Sequence, residues 1–316
     1  MAIGGYFELE LKKFGDTFHP NAILLNTGRN CLEFILFQNN YKKIYLPYYM
    51  CKVLLQPIER LGIAHEFYHL DEDFYPEKII VQDQEALLYI NYFGIMDANV
   101  QKLSLEYKNL IVDNSQSYFS KPITNVPTFY SPRKFFGLPD GGMVVTKVIK
   151  SLNYDKDTSY NRMLHLIKRI DISAEEGFID FQENEKGLDH LPLLHMSNFT
   201  ERLLKSIDFA EVSKKRLNNF NFLHKNLQKP NLLSGFLDKA SYTVPLIYPF
   251  LSEKSEAIKE KLVKNRIYVA TYWPDLSKAL NDHEKLYSKS IIPLPIDQRY
   301  NERDMSKIVE IILSFY

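Results

Sequence analysis

Cysteine is scarce in this chain: only Cys31 and Cys51 occur among 316 residues. Two are too few for a disulfide framework or a cysteine-rich zinc cluster, and they fit a reducing, cytoplasmic setting. Excess charge of one sign is also lacking. Lys and Arg together number 39, Asp and Glu together 39, and the basic residues are dispersed, which points away from a nucleic-acid or anionic-membrane partner. No apolar run is long enough to span a bilayer, and the N-terminus turns charged at Glu8, Glu10, Lys12 and Lys13 without a signal-peptide core. The histidines form no metal constellation: His65 and His69 have no third ligand in view, so no metal is expected. Internal repeats, low-complexity tracts and linkers are absent as well.

Apolar and aromatic mass is plentiful. The chain is 45% hydrophobic, with 21 Tyr and 21 Phe, enough for the cores of two unequal domains. The first half alternates short apolar runs with helical patterns, the signature of parallel α/β units. Strands are expected over 22–25, 43–46, 65–68, 87–91, 110–113, 128–130 and 143–146, and helices over 30–38, 52–61 and 100–107. Apolar residues recur at helical spacing over 199–227. Beyond Pro230 the pattern changes to strands over 242–248 and 266–270, an extended piece over 290–293, and helices over 254–265 and 304–315. The expected organisation is a large domain over 1–230 with a mostly parallel sheet, and a smaller α+β domain over 231–316.

The chemistry concentrates around Ser131-Pro132-Arg133-Lys134. Phe135, Phe136 and a turn containing Gly137, Gly141 and Gly142 follow, and Asp113 lies twenty-one residues before the lysine. A carboxylate ending one buried strand and an amine on a neighbouring loop are what pyridoxal phosphate requires: the lysine forms a Schiff base and the carboxylate keeps the ring nitrogen protonated. Asp113 also reads as an ordinary turn residue after a strand. Lys134 also reads as a solvated lysine, although the adjacent aromatics suggest partial desolvation. Ser131 offers a hydroxyl to a phosphate.

Asn26-Thr27-Gly28-Arg29-Asn30 precedes a helix, and free N–H groups at a helix start bind phosphate; a capped Thr-Gly turn is the plainer reading. Pro47-Tyr48-Tyr49-Met50-Cys51 and Asn91-Tyr92-Phe93-Gly94 both follow strands, at the sheet edge where α/β sites form, and serve equally well as core.

These segments, in this order, resemble the DegT/StrS-type sugar aminotransferases. The resemblance rests on the Thr-Gly-Arg turn, Pro-Tyr-Tyr, Asn-Tyr-Phe-Gly, Asp113-Asn114-Ser115-Gln116, Lys134, and Pro139-Asp140-Gly141-Gly142-Met143-Val144-Val145-Thr146. It covers most of the first 150 residues and continues more faintly through Ser197-Asn198-Phe199-Thr200 and 294–300. It implies the fold type I of pyridoxal-phosphate enzymes and a homodimer with active sites at the subunit interface. It further implies Asp113 on the pyridine nitrogen, Gln116 near the phenolic oxygen, Lys134 as cofactor lysine and proton shuttle, and the backbone of Gly28 and Arg29 on the phosphate. Asn198 would reach the neighbouring subunit's phosphate.

The chain also departs from the pattern. Its serine stands three residues before the lysine rather than five, and the interval from Asp113 to Lys134 is short. The ring-stacking position falls on Cys51, with Tyr49 as the substitute aromatic. The expected activity is transfer of an amino group from an amino acid, glutamate, to a keto sugar, nucleotide-linked and destined for surface polysaccharide. Arg29 or Arg133 would meet an acidic donor or a phosphate, and both read equally well as structural. The rival readings are a pyridoxal phosphate enzyme with a non-sugar substrate, or an inactive chain that retains the fold and binds a ligand.

Overall fold

The computed structural model describes residues 3–147, 150, 153–240, 242–273 and 280–316. The chain begins with β1 (Ile23–Leu25), α1 (Gly28–Asn39), β2 (Lys43–Pro47), α2 (Leu55–Leu61) and β3 (Ala64–Tyr68). It continues through β4 (Glu85–Ile90), α3 (Asp97–Glu106), β5 (Leu110–Asp113), β6 (Thr128–Tyr130) and β7 (Gly142–Val145). These strands form a seven-stranded sheet in the order β1-β7-β6-β5-β4-β2-β3, in which β7 alone runs against its neighbours. The parallel strands β4 and β5 are near-continuous apolar runs because both faces are covered. The edge strand β3 instead exposes Ala64, His65 and Glu66, a polar edge that discourages pairing with another chain.

The helices α4 (Leu164–Asp171), α5 (Phe178–Gly187), α6 (Asn198–Lys205) and α7 (Phe209–Leu227) follow. After α8 (Ser234–Leu237) come β8 (Ile247–Leu251), α9 (Ser255–Lys264), α10 (Asp282–Ser290), β9 (Ile291–Pro295) and α11 (Glu302–Leu313). The last two strands pair antiparallel in their own sheet. Helix α7, on the N-terminal side of the expected boundary at 230, packs on α11 and β8.

Two local expectations are corrected. No strand forms over 266–270: Arg266 adopts φ 58°, closing α9 with a left-handed residue, and the segment beyond it is irregular. The strand expected from 242 begins at Ile247, because the Leu246 amide is spent on the Phe93 carbonyl at 2.8 Å. The helical spacing over 199–227 is borne out as two helices, α6 and α7, since the Asp208 side chain accepts the Glu211 amide and starts α7 afresh.

Candidate active site

The C-terminal ends of β1, β2, β4, β5 and β6 share one edge of the main sheet, and β7 starts from that edge because it runs the other way. Open α/β sheets bind ligands at such an edge. Asp113 ends β5, in register between Ile90 and Phe129, and is 5% exposed. Its Oδ1 accepts the Ser115 amide at 2.7 Å. Burial raises the Asp113 carboxyl above its ordinary value; the Lys134 charge and hydrogen bonds from the Ser115 amide and hydroxyl pull it back. Lys134 is therefore near enough to act on this acid. It lies on a 3₁₀ turn, Pro132–Lys134, where its amide donates to the Ser131 carbonyl at 3.2 Å. Its side chain is exposed rather than partly desolvated in the single chain.

The head of α1 faces this pair. Thr27 caps the helix: its Oγ1 accepts the Asn30 amide at 3.1 Å, and its carbonyl accepts the Cys31 amide at 3.1 Å. The Gly28 and Arg29 amides remain at the tip, positions that no intrahelical carbonyl serves. A Cβ on Gly28 would lie 3.5 Å from the Ser131 Cβ, with the hydroxyls of Ser131 and Ser115 at 3.7 and 3.8 Å. Two amides and two hydroxyls thus border a space that a side chain at position 28 would fill, a donor set suited to an anion.

The close approach is enforced from below. A Cβ on Gly142 would sit 2.4 Å from the Thr27 carbonyl oxygen and 2.6 Å from the Cys31 Sγ, so only glycine lets β7 start against α1. Cys31 is buried beneath; burial and then the Asp113 charge push its thiol well above the ordinary value, keeping it protonated.

The remaining expected residues are placed as follows. The Gln116 Oε1 accepts the Phe93 amide at 2.7 Å, fixing a turn in which Phe93 and Gly94 take φ 58° and 74°. The Asn30 side chain donates to Asn26 and to the Pro192 carbonyl, each at 2.8 Å. The Arg29 guanidinium is committed to Asp189 and, at 2.9 Å, to Gln56. Arg133 pairs with Glu185, and burial lowers its guanidinium to about 10. Tyr49 is fully buried, stacked on Tyr92 at 5.6 Å and edge-on to Trp273 at 4.6 Å, with no hydrogen-bond partner for its hydroxyl among the described residues. Cys51 is half-buried at the start of a 3₁₀ turn. Asn198, exposed at the first turn of α6, accepts from the Lys156 Nζ at 2.6 Å. Ser115 was not singled out by the sequence; its signal is the Asx-turn spacing, an Asp followed two residues later by an amide for its own oxygen.

No protein-family model matches the sequence, and no curated protein matches it. Solved structures do. The sugar aminotransferase CalS13 from Micromonospora echinospora aligns at a TM-score of 0.66 and 16% identity, covering 94% of this chain and 88% of that one. A DegT/DnrJ/EryC1/StrS aminotransferase from Brucella abortus gives 0.63 and 14%, with 93% and 85% covered. NtdA from Bacillus subtilis, solved with bound cofactor PMP, gives 0.64 and 14%, with 92% and 73% covered. This chain therefore has the fold of the DegT/StrS-type sugar aminotransferase structures, and its seven-stranded sheet is mostly parallel, as its sequence led us to expect.

Proposed function

We propose that this protein is a pyridoxal-phosphate-dependent aminotransferase that takes the amino group of glutamate and delivers it to a keto group on a nucleotide-linked sugar for surface polysaccharide. The observation that carries the reading is the meeting of Asp113 and Lys134 beside the α1 head. Burial raises this carboxyl above its ordinary value, and a lysine charge acts on it from the adjoining turn. A cationic ring nitrogen against Asp113 would relieve that desolvation. The Gly28 and Arg29 amides and the Ser115 and Ser131 hydroxyls bind the phosphate.

Pyridoxal phosphate, when bound, supplies an electron-accepting ring that stabilises negative charge at the donor's alpha carbon. Asp113 keeps the proton on the ring nitrogen. The Lys134 Nζ would hold the cofactor and, when free, would take a proton from that alpha carbon and return it to the cofactor carbon. The exposure of Lys134 and of Asn198 supports a homodimer in which a second copy closes the site against water.

The test is direct. Purified protein incubated with pyridoxal phosphate should turn yellow, bleach with borohydride and carry the label on Lys134. Lys134→Ala should leave the circular dichroism unchanged and cut turnover from glutamate by at least about a thousandfold. Substantial transamination by that variant, or a label on another lysine, overturns the reading.

A further inference from the structure

Behind the Lys134 turn lies a buried cation with no acid of its own. Arg216, on α7, is 1% exposed, and among the described residues no carboxylate bridges it; the nearby Asp297 is taken by Arg299 at 2.7 Å. Its donors go elsewhere. The Nε donates to the Gln298 Oε1 at 3.0 Å, one terminal nitrogen to the Leu246 carbonyl at 3.0 Å, and the other to the Phe135 carbonyl at 3.2 Å. The guanidinium also lies 4.6 Å from the centre of the Phe135 ring. The same Phe135 carbonyl accepts the Gln298 Nε2 at 2.8 Å. Phe135 directly follows Lys134.

The links continue on the other side. The Leu246 amide donates to the Phe93 carbonyl at 2.8 Å, and the Phe93 amide donates to the Gln116 Oε1 at 2.7 Å. A continuous path thus runs from Gln116, three residues past Asp113, through Phe93, Leu246 and Arg216 to the carbonyl beside Lys134. Burying a guanidinium is costly, and an apolar side chain would pack the same space without that cost. What arginine alone offers is a rigid fork of five donors able to tie carbonyls from distant segments at fixed spacing. Burial lowers it to about 10, which leaves it charged at neutral pH.

We infer that Arg216, with Gln298, is a positioning residue: it holds the Lys134 turn at a set place relative to the strand end that carries Asp113 and the turn that carries Gln116. This rests on the reading of Lys134 as the cofactor lysine. The C-terminal part of the chain, through 245–246 and Gln298, thereby helps to set the geometry of the amine on the main sheet.

The experiment compares wild type, Arg216→Met and Gln298→Leu. Each is incubated with pyridoxal phosphate and trapped with borohydride at intervals. The label on Lys134 is counted by peptide mass, the visible absorption band is titrated with pH, and the melting temperature is recorded. Arg216→Met should slow labelling of Lys134 by about tenfold to a hundredfold, as misplacement of a reacting group by an ångström does. Gln298→Leu should slow it by a smaller factor, and both should move the pH midpoint of the band. Wild-type labelling rates and an unmoved midpoint, with only the melting temperature lowered, would mean that the clamp is merely structural and overturn the inference. Should Arg216→Met fail to fold, the rate and midpoint of Gln298→Leu decide. Wild type that takes no label on Lys134 overturns the underlying functional reading instead.

Discussion

Asp113 is caught between opposed influences, and their balance gives the site a pH signature. Burial raises its carboxyl; the Lys134 charge and Ser115 lower it, and burial wins. A raised folded-state pKa means that the cofactor-free folded chain holds a proton that the unfolded chain has already lost. Stability should therefore fall as pH rises from the ordinary carboxyl value through the raised one, by about 1.4 kcal/mol for each unit of displacement. Asp113→Asn removes that slope and should make the cofactor-free protein no less stable at neutral pH, while it weakens retention of pyridoxal phosphate. Urea unfolding across pH 4–8 measures the first effect, and dialysis followed by absorption the second. A wild-type slope that rises over this window relative to the variant contradicts the assignment. Asp113 and Lys134 were singled out in the sequence because an apolar run ending in an acid, and a lysine ahead of a Gly-Gly turn, are unusual conjunctions. Ser115 and Arg216 were not: a serine after an acid and an arginine in a helix are commonplace, and only the folded chain shows what they hold.

Among the elements, the junction of α1 with β7 does most to shape the site. The Gly141 amide donates to the Asn26 carbonyl at 2.7 Å, and Gly142 lies where any Cβ would strike the Thr27 backbone and the Cys31 sulfur. Gly142→Ala must push α1 and β7 apart or bend the strand. The expected cost is about 1–3 kcal/mol of stability, with weakened cofactor retention because the amides proposed to bind the phosphate ride on α1. Thermal unfolding and a cofactor titration check both, and a variant that matches wild type in each refutes the junction's role. The same junction was legible beforehand as a Thr-Gly turn and a Gly-Gly turn, though their contact was not. Leu110–Asp113 was read to the residue because a short apolar run between polar residues leaves little choice. Helices α4 and α5 escaped notice: neither has a side-chain cap, and the apolar residues of α4 face outward instead of marking a core. Sequence periodicity identifies a buried face only when the chain itself supplies the cover.

At the scale of the whole molecule, that outward face bears on assembly. Ile167, Ile170, Ile172, Phe178 and Ile179 are all exposed, and Ile170 reaches 84%. An apolar strip of this kind on a single chain costs free energy in water and is a typical mark of a surface used in association. It adjoins the lysine loop: Asn184 of α5 donates to the Pro139 carbonyl at 2.8 Å, and Arg162 bridges Asp140 at 2.6 Å. A second copy seated there would cover the strip and close the open side of Lys134 together, with a stable interface needing about 800 Å² from each partner. Sedimentation of the purified protein should then give twice the 37.1 kDa chain mass. Ile170→Glu, which places a charge at the most exposed point of the strip, should shift the species to the single-chain mass at micromolar concentration with unchanged circular dichroism. Transamination should fall with it, because a lone chain leaves the Lys134 Nζ in bulk water, where proton transfer to and from the donor carbon competes with solvent. A variant that stays dimeric and fully active would put the subunit contact on another face and leave the strip without a role in the reaction.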